Sequence, residues 1–303
     1  MSWVFLTDDL VYKMKKPVRY RFLDFSTLAA RHQDCLQEIR LNRRLAPNVY
    51  LGVVPLTQDE HQQLVLEGNG TPVEWLVKML RLPAERMLDR LIQRQAVSES
   101  DVRSLSARLA DFYQRAPAEP MTPEEYRRQF LRDIRTNHEE LLDHDYSLSA
   151  ERLKRITEAQ LALINGQPKL FDQRIEEKHI IEAHGDLRPE HICLTDEPVF
   201  IDCLEFNRKL RILDPAHELA YLDMECEFAG AAFIGPHLFK TYRQKTGDRP
   251  ADTLLNFYKA YRAILRAKLS IWHIKDHDAD QHSKWIKRTM AYLRLAEKYS
   301  AFL

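Results

Sequence analysis

Residues 183–206 read AHGDLRPEHICLTDEPVFIDCLEF, the stretch that says most about the fold. Asp186 stands in a polar loop, two short apolar runs (Ile192 to Leu194 and Val199 to Ile201) flank a turn at Thr195 to Pro198, and Asp202 follows the second run. Short apolar runs around turn residues predict a β-hairpin. A hairpin of this size brings Asp186 and Asp202 to the same end of two neighbouring strands. Phosphoryl transfer needs such a pair, one carboxylate to orient the attacking hydroxyl and one to hold the metal that neutralises phosphate oxygens. Two carboxylates can equally serve as general acid and base of a hydrolase, or sit in a solvated loop, and spacing alone leaves these readings open.

Upstream, Trp3 to Leu6 and Leu10 to Lys15, joined by Asp8 and Asp9, predict a hairpin. Residues 25–47, FSTLAARHQDCLQEIRLNRRLAP, place Leu28, Cys35, Leu36, Ile39 and Leu45 near helical spacing, with Ser26 as a cap and Pro47 just past the end. Three runs, YLGVVPLT, HQQLVLEG and WLVKMLRL, predict consecutive antiparallel strands, the last two separated by Gly68, Asn69, Gly70 and Pro72. From Pro83 onward the pattern turns helical: AERMLDRLIQRQ, the Ser98-capped ESDVRSLSARLADFYQRA, and TPEEYRRQFLRDIRTNHEELL with Pro123 in its first turn. One short β segment, from Ile180 to about Cys203, interrupts helices that then continue to the C-terminus. The expected organisation is α+β and bilobal: a small antiparallel-sheet N-lobe over residues 1–82 and a mostly helical C-lobe over 83–303. A chain of 303 residues fits two lobes, because single cores stop growing at roughly 250–300 residues.

Lysine plus arginine and aspartate plus glutamate are balanced at 45 each, so no global field favours nucleic acid or an anionic membrane. No apolar run approaches the roughly 18–20 residues that span a bilayer, and MSWVFLTDDL lacks a basic region followed by an apolar core. The expectation is a soluble, cytoplasmic protein. Cys35, Cys193, Cys203 and Cys226 form no C-x-x-C pair and are expected to be buried free thiols.

His184-Gly185-Asp186 resembles the His-Gly-Asp form of the kinase catalytic loop in aminoglycoside phosphotransferases and choline kinases, and Ile201-Asp202 resembles their metal-binding Ile-Asp. Downstream, LDPAHELAYL resembles their Asp-Pro-x-x-Asp-Leu-Ala segment, with Asp214 first and Glu218 where an Asp is usual. The resemblance spans nearly the whole chain and implies a protein-kinase-like fold. It implies Asp186 as the residue that positions or deprotonates the acceptor hydroxyl, Asp202 as a ligand of Mg2+, and His184 as a brace of the loop. Lys13 in VYKMKK takes the place of the strand lysine that contacts the α- and β-phosphates of ATP, with Lys15 on the same strand face able to take that role. Glu38 would be the ion-pair partner, and backbone groups around Met79, Leu80 and Leu82 would meet adenine.

Two departures qualify this. His191 stands where the family has the Asn that serves a second magnesium, and imidazole suits magnesium poorly, so Glu190 or Glu205 would replace the lost oxygen ligand or one metal position is lost. Met1 falls almost inside the first hairpin and glycine is scarce, at eight in the chain. Either the natural start lies upstream, or nucleotide is held by Lys13, the hinge and magnesium without a phosphate-covering loop. Arg188 could meet phosphate or an acidic substrate, or pair with Glu190. His273, His277 and His282 show no tight ligand pattern, and Tyr258, Tyr261, Ile264, Leu265 and Leu269 read as a core stripe. Asp223, Glu225 and Glu227 could line a substrate cleft or form a solvated helix face. The expected reaction moves the ATP γ-phosphoryl group to a hydroxyl of a small molecule. The alternative is a weakened or inactive kinase-fold protein that binds nucleotide or a partner. The acceptor and the oligomeric state are not written in the sequence.

Overall fold

The computed structural model describes all residues except Arg21, Phe22, residues 143–145, Ser147 and residues 277–278, and it describes only the backbone of residues 275, 276, 279 and 280. In chain order the elements are β1 (Ser2–Leu6), β2 (Leu10–Lys15), β3 (Arg19–Tyr20), β4 (Leu23–Asp24), α1 (Leu28–Asn42), β5 (Tyr50–Gln58), β6 (Leu64–Leu66), β7 (Thr71–Leu80) and α2 (Leu88–Gln93). Four helices follow, α3 (Glu99–Arg115), α4 (Pro123–Leu142), α5 (Ala150–Gly166) and α6 (Lys169–Glu176). Then come the short strands β8 (Ile181–Glu182), β9 (Ile192–Cys193), β10 (Val199–Phe200) and β11 (Ile212–Leu213), and the helices α7 (Pro215–Phe228), α8 (Ile234–Thr246), α9 (Asp252–Asp276) and α10 (Ala279–Ser300).

The chain forms two compact units, residues 1–97 with 184–212, and residues 98–183 with 213–303. The first is built on a five-stranded antiparallel sheet of order β1-β2-β7-β5-β6. Directly opposed residues share a face, so the pairs Val4/Lys13 and Lys13/Val77 put Lys13 on the face that α1 covers. There Cys35, Ile39 and Val77 are buried together with Ala46, Val49 and Tyr50, and Trp75 stacks on His32 at 3.9 Å. Val77 is fully shielded, a burial that contributes roughly 1.5–3 kcal/mol. Helix α1 begins one residue later than its sequence suggests. Thr27 accepts the Ala30 N–H as the cap, while Ser26 is held by Asp24. The helical expectation for residues 84–95 shrinks to a 3-10 turn at Ala84–Arg86 and the short α2.

The second unit is helical. Its core gathers Leu141, Leu153, Ile156, Met224, Ile264, Ile271 and Tyr292. Of the stripe expected in α9, Tyr258, Tyr261 and Ile264 are buried, whereas Leu265 and Leu269 are only half-buried, and Ala260, Ala263 and Ala267 are fully buried in the same helix. His273 stacks on Trp285, and His277 lies outside the described residues. Asp223, Glu225 and Glu227 are neither a solvated face nor free carboxylates: they pair with Lys259, Arg266 and Lys298. All four cysteines are buried thiols. Among the described residues no helix is long and apolar enough to cross a membrane.

Candidate active site

Alternation along β2 points Lys13 and Lys15 the same way, toward α1. Glu38 receives both: Lys13 Nζ lies 2.9 Å from its Oε1 and Lys15 Nζ 2.5 Å from its Oε2. The two lysines then diverge. Lys13 also reaches Asp202 at 2.5 Å and borders a cavity, whereas Lys15 is shut in by Asp34 and Glu205 with 1% of its surface exposed. Of the two, Lys13 is the one a ligand in that cavity can touch.

The antiparallel pair β9 and β10 forms the hairpin expected between the two acidic residues. Asp186 and Asp202 border one cavity of about 340 Å³, together with Val4, Lys13 and Glu205. Gly185, just before Asp186, has φ +90°, and a Cβ there would stand 2.9 Å from that of Arg211, so conformation and space both demand glycine. His184 braces the loop through both ring nitrogens: Nε2 donates to the Ile201 carbonyl at 2.9 Å, and Nδ1 accepts the Asp186 N–H at 3.3 Å. His191 donates from Nδ1 to the Asp186 carbonyl at 2.8 Å and turns Nε2 to Asp202 Oδ2 at 3.6 Å. Arg188 pairs with Asp186 at 3.1 Å and with Glu190 at 2.5 Å.

The amides of Leu80 and Arg81 donate to the carbonyls of Val49 and Asp9, and the side chains of Met79 and Leu82 pack on the α1 core. Leu6, Val11 and Met79 extend the Lys13 face as an apolar surface.

No family model matches the chain. Uncharacterized proteins of Mycobacterium tuberculosis and Mycobacterium bovis are each 34% identical to it over 269 residues, 88% of this chain and 52% of theirs. The chain therefore spans about half the length of the curated relatives it matches. The GDP and kanamycin complex of APH(2″)-IIIa superposes with a TM-score of 0.60, at 15% identity over 98% of this chain and 89% of that one. A glucosamine kinase matches with a TM-score of 0.53, at 12% identity over 96% and 72%. The chain has the aminoglycoside-phosphotransferase fold.

Within that fold, the electrostatics of the site follow from burial against pairing. Burial disfavours the Lys13 ammonium, yet Glu38 and Asp202 hold its pKa well above the ordinary lysine value. Burial likewise disfavours the Asp202 carboxylate, but Lys13 and then His191 outweigh it and hold Asp202 far below the usual range. Asp202 is thus an ionised carboxylate with one oxygen on Lys13, an oxygen ligand of the type a hard cation takes. The other oxygen-ligand candidates are engaged elsewhere, Glu190 by Arg188 and Glu205 by Lys15. Among the described residues no group of three or more His, Cys, Asp and Glu is arranged to hold a metal ion.

Three contributors lay outside the sequence reading. Tyr50 accepts the Asp202 N–H through its hydroxyl at 3.0 Å, Asn42 accepts the Cys203 N–H at 2.8 Å, and Asp34 flanks Lys15. Asp34, Glu38 and Asn42 are spaced by four, a polar stripe beside the apolar Cys35 and Ile39, and this was the available signal.

Burial, with the nearby His191, lowers the His184 pKa from 6.5 to about 4. The unfolded chain takes up this proton from about pH 6.5 downward while the folded chain resists until about pH 4, so the contribution is complete above 6.5 and lost on acidification. It amounts to about 3 kcal/mol. Protonation would also set an N–H on Nδ1 against the Asp186 N–H and break the brace. Urea denaturation between pH 8 and pH 4 should therefore show a shallower acid loss of stability in His184→Gln than in the wild type.

Proposed function

We propose that the chain is a small-molecule phosphotransferase that moves the γ-phosphoryl group of ATP to a hydroxyl. The observation that carries this reading is the convergence of Lys13, Asp186 and Asp202 on one cavity. In this reading the Lys13 ammonium leaves Asp202 for the α- and β-phosphates, keeping Glu38 behind it, and the apolar face of Leu6, Val11 and Met79 takes the base. Asp186 orients the acceptor hydroxyl and receives its proton, while Arg188, already paired with Asp186 and Glu190, would meet the transferred group. Asp202 would hold Mg2+, whose charge neutralises the phosphate oxygens. Likeness to a fold seen with GDP supports a nucleoside phosphate as donor.

One observation favours a second reading, nucleotide binding without turnover: His191, at the position where the resembled family carries an oxygen-bearing Asn, donates from Nδ1 to the Asp186 carbonyl. Calorimetric titration with magnesium and ATP or GTP, followed by turnover across a library of hydroxyl compounds, separates the two. Binding with turnover supports the transferase, binding alone supports the second reading, and no binding defeats both.

A further inference from the structure

Asp202 is not a glycine, yet its φ is +60°. A side-chain-bearing residue in this region costs about 1–3 kcal/mol and persists only where its surroundings over-determine it. The turn it begins is held at successive positions. The N–H groups of Asp202, Cys203 and Leu204 donate to Tyr50 Oη, Asn42 Oδ1 and the His184 carbonyl at 3.0, 2.8 and 3.1 Å. The next residue, Glu205, places its carboxylate on Lys15.

We propose that Lys15 and Glu205 form a latch that positions the Asp202 turn against β2 and α1, and that Lys15 is a positioning residue rather than a ligand-binding one. The proposal rests on the reading of Asp202 as the cation-holding residue. Lys15 sits at the junction of three segments, paired with Asp34 and Glu38 of α1 at 2.9 and 2.5 Å and with Glu205 of the turn. Because Glu38 gives one oxygen to each lysine, its anchorage to Lys15 survives when Lys13 exchanges Asp202 for a phosphate. Helix α1 and the turn therefore keep their places while the catalytic lysine changes partner. Three carboxylates around one ammonium leave negative charge in excess; burial pushes Glu205 up to about 7 and Asp34 upward as well.

The imbalance supplies a test that separates positioning from mere support. Lys15→Met should lower melting temperature and weaken magnesium-ATP binding by about tenfold or more. It should also speed amide exchange at Cys203 and Leu204 by at least about tenfold. Adding Glu205→Gln removes a stranded charge, so the double variant should regain stability while its nucleotide affinity stays low. Affinity that returns together with stability overturns the latch. So does a Lys15→Met protein with wild-type affinity and exchange. Should Lys15→Met fail to fold, Glu205→Gln alone decides: it keeps Lys15 and relieves charge, so it should be folded with weakened nucleotide binding, and wild-type binding refutes the proposal. If the wild type itself binds no magnesium-ATP, the kinase reading fails, while the exchange rates at Cys203 and Leu204 still decide the latch.

Discussion

Asp186→Asn is expected to lower phosphoryl transfer by about 10²- to 10⁴-fold, the range attributed to a positioned proton acceptor. Asparagine keeps the volume and leaves both main-chain contacts of residue 186 intact, the N–H on His184 and the carbonyl on His191. Arg188 loses one carboxylate and retains Glu190, so the loop has little reason to move. Magnesium-ATP affinity should stay within about twofold, because in the proposed reading Asp186 meets the acceptor hydroxyl and not the nucleotide. Asp202→Ala should behave oppositely. In the proposed reading its carboxylate, 2.5 Å from Lys13, holds the cation, so nucleotide binding itself should weaken by about tenfold or more, a loss of at least about 1.4 kcal/mol. Paired calorimetry and single-turnover kinetics on the two variants read both quantities. Undiminished turnover in Asp186→Asn defeats the assignment, and equal nucleotide affinity in Asp202→Ala and wild type defeats the cation role.

What the sequence reveals of this site depends on how locally each part is encoded. The hairpin between Asp186 and Asp202 is legible because turn and both strands lie within a score of residues, and the pairing of β9 with β10 is set by that short connection. The order of the five-stranded sheet is less legible: β7 inserts between β2 and β5, a non-sequential pairing that alternation alone does not specify. Lys13 and Lys15 look equivalent in VYKMKK. Their separation into a cavity-facing and an enclosed lysine is decided by Asp34 and Glu205, residues far apart in sequence. Tyr50 reads as a strand-start aromatic, and only the approach of residue 202 gives its hydroxyl a task. Propensity likewise favoured a helix over residues 84–95. There Arg86 instead gives its carbonyl to the Leu194 N–H and its guanidinium to the Leu194 carbonyl, tertiary contacts that hold the chain in a tight turn.

The largest effect on stability should come from the second unit, at Arg174→Met. The guanidinium is 4% exposed and fills four hydrogen bonds, two to Asp214 at 2.6 and 2.9 Å and two to Asp248 at 2.7 and 2.6 Å. Asp214 is fully buried and also caps α7 through the Ala216 N–H, and Asp248 takes the Tyr242 hydroxyl. Methionine fills the space but leaves two buried carboxylates without their cation. Breaking one buried pair costs about 3–5 kcal/mol, a large share of the roughly 5–15 kcal/mol that holds a typical domain. The pH dependence should invert as well. In the wild type, burial works against the Asp248 carboxylate but Arg174 and Tyr242 hold its pKa below the ordinary value, so its contribution is present above that value and lost in acid. Without Arg174 the burial penalty dominates at Asp248, the folded chain binds the proton more readily than the unfolded one, and stability falls as pH rises. Urea denaturation at pH 5 and pH 8 should show the variant closer to wild type at pH 5. A variant within about 1 kcal/mol of wild type at pH 8 would mean that the two carboxylates find water or other donors once the arginine is gone.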